Sequence, residues 1–300
     1  MHKAFQRLGR FVLVFFGLFA AVIASADEQR LLHSERSLYR EVLVYESGTQ
    51  RCMCFTRNCR VGRQSCIDTQ HPDRFVLNYT RMMLSSLLVR PDPKSVLIVG
   101  LGGGTLPRAL SRLLPNATIE TVEIDPAVTR VAEKYFDFRP SDRVKVTELD
   151  GRVFVKRALR DARHYDLIML DAFDHEYIPE HLLTREFLQE VKALLAPGGV
   201  LAANTFSSSR LYDHESVTYA SVFGSFYNLK RENRVILASN TALPDQRQIA
   251  ANSQRYTQAF TSFGVDTANL LPLFNTKVDW DPKARVLTDQ YSPANLLNLK

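Results

Sequence analysis

Residues 95–106, Ser95-Val96-Leu97-Ile98-Val99-Gly100-Leu101-Gly102-Gly103-Gly104-Thr105-Leu106, are an apolar run that ends in glycines and reopens on a helix-forming stretch. A short run that is apolar at every position suits a strand covered on both faces, as in a parallel sheet. The pattern recurs outward from it. IETVEI at 119–124, VKVTEL at 144–149, DLIMLDA at 166–172 and GVLAANTF after Pro197-Gly198 read as strands, with helical stretches from Thr105, Pro126, Arg152 and Thr184 between them. Strands alternating with helices predict an α/β fold, a doubly wound and mostly parallel sheet of Rossmann type spanning 91–300.

Upstream the period changes. From Leu32 to about Asp68 short alternating runs such as SLYREVLVYES and RCMCF are separated by turns, which predicts a small β-hairpin domain over 27–90. From Arg74 to Leu88 the apolar residues shift to helical spacing, and Pro91 and Pro93 mark the break between the two domains.

Residues 1–26 are a different material. Lys3, Arg7 and Arg10 precede the uncharged stretch Phe11 to Ala24, and Ala24-Ser25-Ala26 follows the pattern of a cleavage site. The fourteen residues of that stretch fall short of the ~20 that span a bilayer. A signal peptide cleaved near Ala26 is therefore expected, with an exported chain, periplasmic or secreted, that is free of the membrane afterwards. The whole sequence carries 38 Lys and Arg against 32 Asp and Glu, a net +6; without the three leader cations the balance is 35 against 32. The composition, 45% hydrophobic and 23% charged, excludes a disordered chain and a polytopic membrane protein. Export also governs the cysteines. Cys52, Cys54, Cys59 and Cys66 lie within fifteen residues, and in an oxidising compartment an even cluster reads as disulfides rather than a zinc site. Cys52 and Cys54 share a strand face, so the expected pairs are Cys52 with Cys66 and Cys54 with Cys59.

Ligands of doubly wound sheets sit at the carboxyl ends of the strands. There this sequence places Gly100, Gly102, Gly103 and Gly104, then Glu123, then Asp150-Gly151, then Asp171 with Asp174. Glycines allow close backbone approach, and Glu123 lies roughly twenty residues beyond them, where a carboxylate accepts ribose hydroxyls. Asp150 suits the amine of an adenine, and the two acids of the fourth end suit a cationic second substrate. Any single acid could instead cap the next helix, as Asp125 and Asp150 are placed to do. Together the four ends favour an S-adenosyl nucleoside over a nicotinamide.

These residues, Val96-Leu97-Ile98-Val99-Gly100-Leu101-Gly102-Gly103-Gly104-Thr105-Leu106, Val122-Glu123-Ile124-Asp125, Asp150-Gly151 and Asp171-Ala172-Phe173-Asp174, resemble the spermidine synthase (polyamine aminopropyltransferase) family. The early part with Tyr39, Arg51, Gln64-Ser65 and Tyr79 is similar to the family's N-terminal domain, and the rest to its methyltransferase-like domain. The resemblance implies transfer of an aminopropyl group from decarboxylated S-adenosylmethionine, a co-substrate rather than a resident cofactor, to a diamine such as putrescine. It gives Glu123 the ribose, Asp150 the adenine amine, Asp171 the proton of the attacking amine, Asp174 the distal ammonium and Tyr79 the amine pocket. It also implies a homo-oligomer. Two positions depart from the pattern: Gly102 stands where the family carries an acid facing the donor's amine, and Thr80-Arg81 stand where it carries His-Glu beside the amine.

Two other classes share these residues, an S-adenosylmethionine methyltransferase and a non-catalytic exported protein that binds polyamine or nucleoside. No metal site is expected, since His175-Glu176 and Glu180-His181 lack the spacing of a zinc helix and read as a loop over the substrate. Lys230 to Arg234 reads as a solvated turn, nothing points to nucleic acid, and the sequence beyond Pro244 reads as a helix and cover for the domain.

Overall fold

The computed structural model describes residues 29–60, 62–172 and 179–293. The leader at 1–26, Asp174, and the pair His175 and Glu176 lie outside the described residues. The small sheet is an antiparallel meander of β1 (Arg30–Arg36), β2 (Glu41–Ser47), β3 (Gln50–Cys54) and β4 (Arg63–Asp68). Its Val42, Val44, Met53 and Ile67 side chains bury against Ala127, Val128, Val131 and Phe136 of the larger domain. In the β3–β4 register Cys52 lies opposite Cys66, and these two are joined; Cys54 is joined to Cys59. The half-cystines pack with Tyr45, Val76 and Leu77.

The second sheet has seven strands, β5 (Ser95–Val99), β6 (Thr118–Glu123), β7 (Val144–Glu148), β8 (Tyr165–Leu170), β9 (Leu195–Phe206), β10 (Tyr227–Lys230) and β11 (Asn233–Ser239), ordered β10-β11-β9-β8-β5-β6-β7. All run parallel except β11, which pairs antiparallel with β9 and β10. The order reverses between β5 and β8, and such a switch point opens a crevice at the carboxyl ends of the strands. The helices are α1 (Asn78–Met83), α2 (Ser86–Val89), α3 (Thr105–Leu113), α4 (Pro126–Tyr135), α5 (Gly151–Arg160), α6 (Arg185–Leu194), α7 (Leu211–Phe223), α8 (Gln246–Thr261) and α9 (Thr267–Leu270).

The strand period of two assigns β5 to both faces of the sheet. Val96 and Ile98 join the core formed with α1, α2, α3 and α8, whereas Leu97 and Val99 join the core formed with α5, α6 and α7. This is why the run reads as apolar throughout. The helix expected over Arg74–Leu88 is instead two short ones, and both bury in the core of the large domain. Residue 75 is tied elsewhere, bridged to Ile67 and donating its N–H to the Phe263 carbonyl at 3.0 Å, so the helix begins only at Asn78. At its far end the tighter bonds Ser85 N–H to Met82 O and Leu88 N–H to Ser85 O turn the chain. The C-terminal segment is anchored by Arg152, 8% exposed, which pairs with Glu190 on α6 and with Asp289, and by Trp280 stacked on Phe226.

Candidate active site

At the carboxyl edge of the sheet lies a cleft of about 580 Å³. Tyr79, Gly100, Gly102, Glu123, Asp150, Gly151 and Asp171 all line it. Gly100 leaves β5 with φ +103°, and a Cβ there would stand 2.2 Å from the Asp171 carbonyl, so only glycine lets β5 and β8 end this close together. Gly103 and Gly104 do not line the cleft. They face inward, and a Cβ on Gly104 would stand 2.5 Å from the Phe138 ring, which makes these two glycines packing positions under the loop. Gly102 faces Ser65 of β4 with ordinary van der Waals room.

Glu123 ends β6 and is spent partly on the loop itself. Its two oxygens accept the backbone N–H groups of Leu101 and Asp125, each at 3.0 Å. Burial raises its carboxyl above the usual range, against those two N–H groups and the charge of Arg40. Asp150 caps α5, accepting the Val153 N–H at 2.9 Å, and its other oxygen meets His181 Nε2 at 2.8 Å. The His181 contact, opposed by burial and helped by the Val153 N–H, holds Asp150 below its ordinary value. Asp125 caps α4 through the Ala127 N–H with one oxygen and accepts the Ser37 hydroxyl at 2.6 Å with the other, so both of its oxygens are engaged away from the cleft.

Asp171 is different. It follows β8 and caps no helix among the described residues; Asn204 Nδ2 donates to its Oδ1 at 2.9 Å and the Tyr79 hydroxyl donates as well. Burial pushes its carboxyl up to about 7, against those two hydrogen bonds, and burial with the Asp171 charge pushes the Tyr79 phenol well above its ordinary value. A carboxylate poised near neutrality, in hydrogen-bond reach of a cleft, can take a proton from a substrate amine.

Among the polar residues that line the cleft, sequence reading gave no role to Asn204 or Glu232 and placed His181 only in a loop over the substrate. Asn204 sits on β9, and its signal was a polar Asn-Thr pair interrupting an apolar strand at the carboxyl end. His181 reaches Asp150 from a one-turn helix that sequence pattern does not place. Glu232 is the tip of the β10–β11 turn, hydrogen-bonded by Asn78 Nδ2 at 2.9 Å. Arg81, expected beside the amine, does not line the cleft. Its guanidinium turns to the Phe75 carbonyl at 2.5 Å and to Asn78 Oδ1 at 3.0 Å, and the acid at the cleft's outer end is Glu232.

Residues 77–237 match the model of the spermine/spermidine synthase domain. The chain is 46% identical to the polyamine aminopropyltransferase of Vibrio vulnificus over 294 residues, covering 95% of this chain and 98% of the relative. Two solved structures bear on the fold. A probable spermidine synthase from Corynebacterium glutamicum superposes with a TM-score of 0.62 at 18% identity, covering 83% of this chain and 96% of that one. A spermidine synthase in complex with the transition-state analogue AdoDATO gives 0.62 at 17% identity, covering 83% and 85%. The site at the carboxyl edge of the sheet thus stands on a scaffold matched in sequence over nearly its whole length, and the chain belongs to the spermine and spermidine synthase family.

Proposed function

We propose that this polyamine aminopropyltransferase moves an aminopropyl group from decarboxylated S-adenosylmethionine to an amine such as putrescine, with Asp171 as general base. The observation that carries this is the Asp171 carboxyl, buried at the strand edge, raised to about 7 and held by Tyr79 and Asn204. A polyamine nitrogen is protonated at neutral pH and attacks only after losing a proton, which Asp171 accepts. The nitrogen lone pair then forms a C–N bond to the carbon beside the sulfonium as the C–S bond breaks. Its electron pair leaves on sulfur, giving neutral methylthioadenosine. Glu123 would accept the ribose hydroxyls, Asp150 the adenine amine, and Asp174 the distal ammonium. Asp150 meets the adenine only if His181 yields or shares its oxygen.

The test is an incubation of purified mature protein with decarboxylated S-adenosylmethionine and putrescine, followed by chromatography of the products. Spermidine and methylthioadenosine are expected, and both vanish in Asp171→Asn. A methylated product, or amine binding without any turnover, contradicts the proposal. We also propose that the mature chain works outside the cytosol, on the strength of the leader and of four cysteines paired as two disulfides. Cell fractionation with mass analysis of the mature N-terminus tests this; an intact Met1 in the cytosolic fraction contradicts it. Light scattering tests the homo-oligomer that the resemblance implies.

A further inference from the structure

The strand segment that brings Asn204 to Asp171 is paired on one side only. The register of β9 with β8 ends at Ala203 opposite Leu170, whereas its register with β11 runs on through Asn204 with Val235, Thr205 with Arg234 and Phe206 with Asn233. Asn204 adds little support of its own. Its Nδ2 donates to Asp171 at 2.9 Å and its Oδ1 has no hydrogen-bond partner among the described residues, so the strand backbone sets where the side chain points. The strand period of two turns Thr205 and Arg234 to the opposite face. There the fully buried Arg234 pairs with Glu215 of α7, Nη1 standing 3.6 Å from Oε2. Its Nε donates to Asn228 Oδ1 of β10 at 2.8 Å, and its Cζ lies 4.2 Å from the centre of the Tyr212 ring on α7. One side chain thus ties β10, β11 and α7 together directly behind the residue that meets Asp171.

For stability alone this pair is poorly made. Neither Nη nitrogen of Arg234 has a hydrogen-bond partner among the described residues, and neither has the hydroxyl of Tyr219, on which both charges of the pair act. Burial raises the Glu215 carboxyl to about 7, against the Arg234 charge and the Thr205 hydroxyl. A buried pair of this kind can often be replaced by apolar residues of similar volume without loss of stability. We propose that Glu215 and Arg234 are positioning residues, whose pair fastens the end of β9 to α7 and so sets the hydrogen bond that Asn204 gives Asp171; the inference rests on the reading of Asp171 as the general base. Without the pair the end of β9 is held to β11 alone, and the Asn204 bond weakens. That bond lowers the Asp171 carboxyl, so weakening it raises the carboxyl further. Removing both charges leaves the net charge unchanged, so a change in net charge cannot mimic the effect.

The test is a double variant of the mature protein, Glu215→Leu with Arg234→Met, in which carbon-13 NMR of labelled aspartates follows the Asp171 carboxyl. Its midpoint is expected to rise by about one pH unit, a tenfold change in proton affinity and the size of one hydrogen bond. The acid limb of kcat/KM moves up with it, while the KM of the S-adenosyl donor stays unchanged. In an Asn204→Ala background the same two substitutions are expected to add nothing, because their effect passes through Asn204. Glu215→Gln, which keeps the volume and removes only the charge, repeats the measurement should the double variant not fold. A midpoint that rises in protein showing no turnover supports the inference and counts against the transfer reading alone. A midpoint unchanged on removal of the pair, or a shift that persists in the Asn204→Ala background, overturns it.

Discussion

Asp150 and Asp171 leave the same edge of one sheet and line the same cleft, yet they are set apart by what surrounds them. Asp150 begins α5, accepts the Val153 N–H and meets His181, and these contacts hold it ionised. Asp171 follows a strand, caps no helix among the described residues, and is largely buried against Tyr79 and Asn204, so burial dominates and its carboxyl rises to about 7. One acid is fixed as a charge, and the other is kept able to exchange a proton. The lesson is that an acid at a strand end acquires its character from the groups packed around it.

The sharpest way to break the contrast is Asp171→Asn. Turnover is expected to fall by about 10²–10⁴-fold, the usual range for a lost general base, while nucleoside binding persists. The same variant tests the cost of burial. A carboxyl raised from its unfolded value near 3.9 to about 7 loses native stability as pH rises across that interval, and the loss is complete above it. Asp171→Asn should therefore melt higher than the wild type at pH 8 and at the same temperature at pH 3. Equal melting at both pH values would contradict the assigned burial. Next in size is Tyr79→Phe, which removes one of the two hydrogen bonds that lower the Asp171 value. Its acid limb of kcat/KM should move upward by about one pH unit, with activity at pH 9 largely retained. An acid limb that stays in place would show that Tyr79 only lines the pocket.

Asp150→Ala should leave the acid limb untouched and raise the KM of the S-adenosyl donor several-fold. It also removes a helix cap, at about 1 kcal/mol, visible as a lower melting temperature in the absence of ligand. Stability lost without any change in donor KM would reduce Asp150 to a cap.

The contrast between the two acids also shows how far the sequence can be read. The β5 run at Val96–Val99 and the apolar end of β8 were legible because a strand buried on both faces needs apolar residues at every position. Asp171 was legible for the same reason, since it is the first charge after such a run, whereas Glu123 and Asp150 were legible from their place at the ends of the neighbouring strands. What surrounds them was not. Asn204, His181 and Glu232 come from β9, a one-turn helix and the β10–β11 turn, and reach the cleft only through strand pairing and loop placement. Lys230–Arg234 read as a solvated turn because its mixed charges say nothing of the antiparallel hairpin that aims Glu232 at Asn78. Arg81 was misplaced because helical spacing over Arg74–Leu88 hid the tie at Phe75, whose carbonyl takes up its guanidinium. The cysteine pairs were legible, since Cys52 and Cys66 needed only the register of one hairpin.

The Asp171 carboxyl titrates near neutrality inside the folded cleft, at about 7. Carbon-13 NMR of carboxyl-labelled aspartates, compared between the wild type and Asp171→Asn, reads that titration directly. One resonance, absent from the variant, is expected with a midpoint near 7. A missing resonance that instead titrates near the ordinary aspartate value of about 3.9 would contradict it.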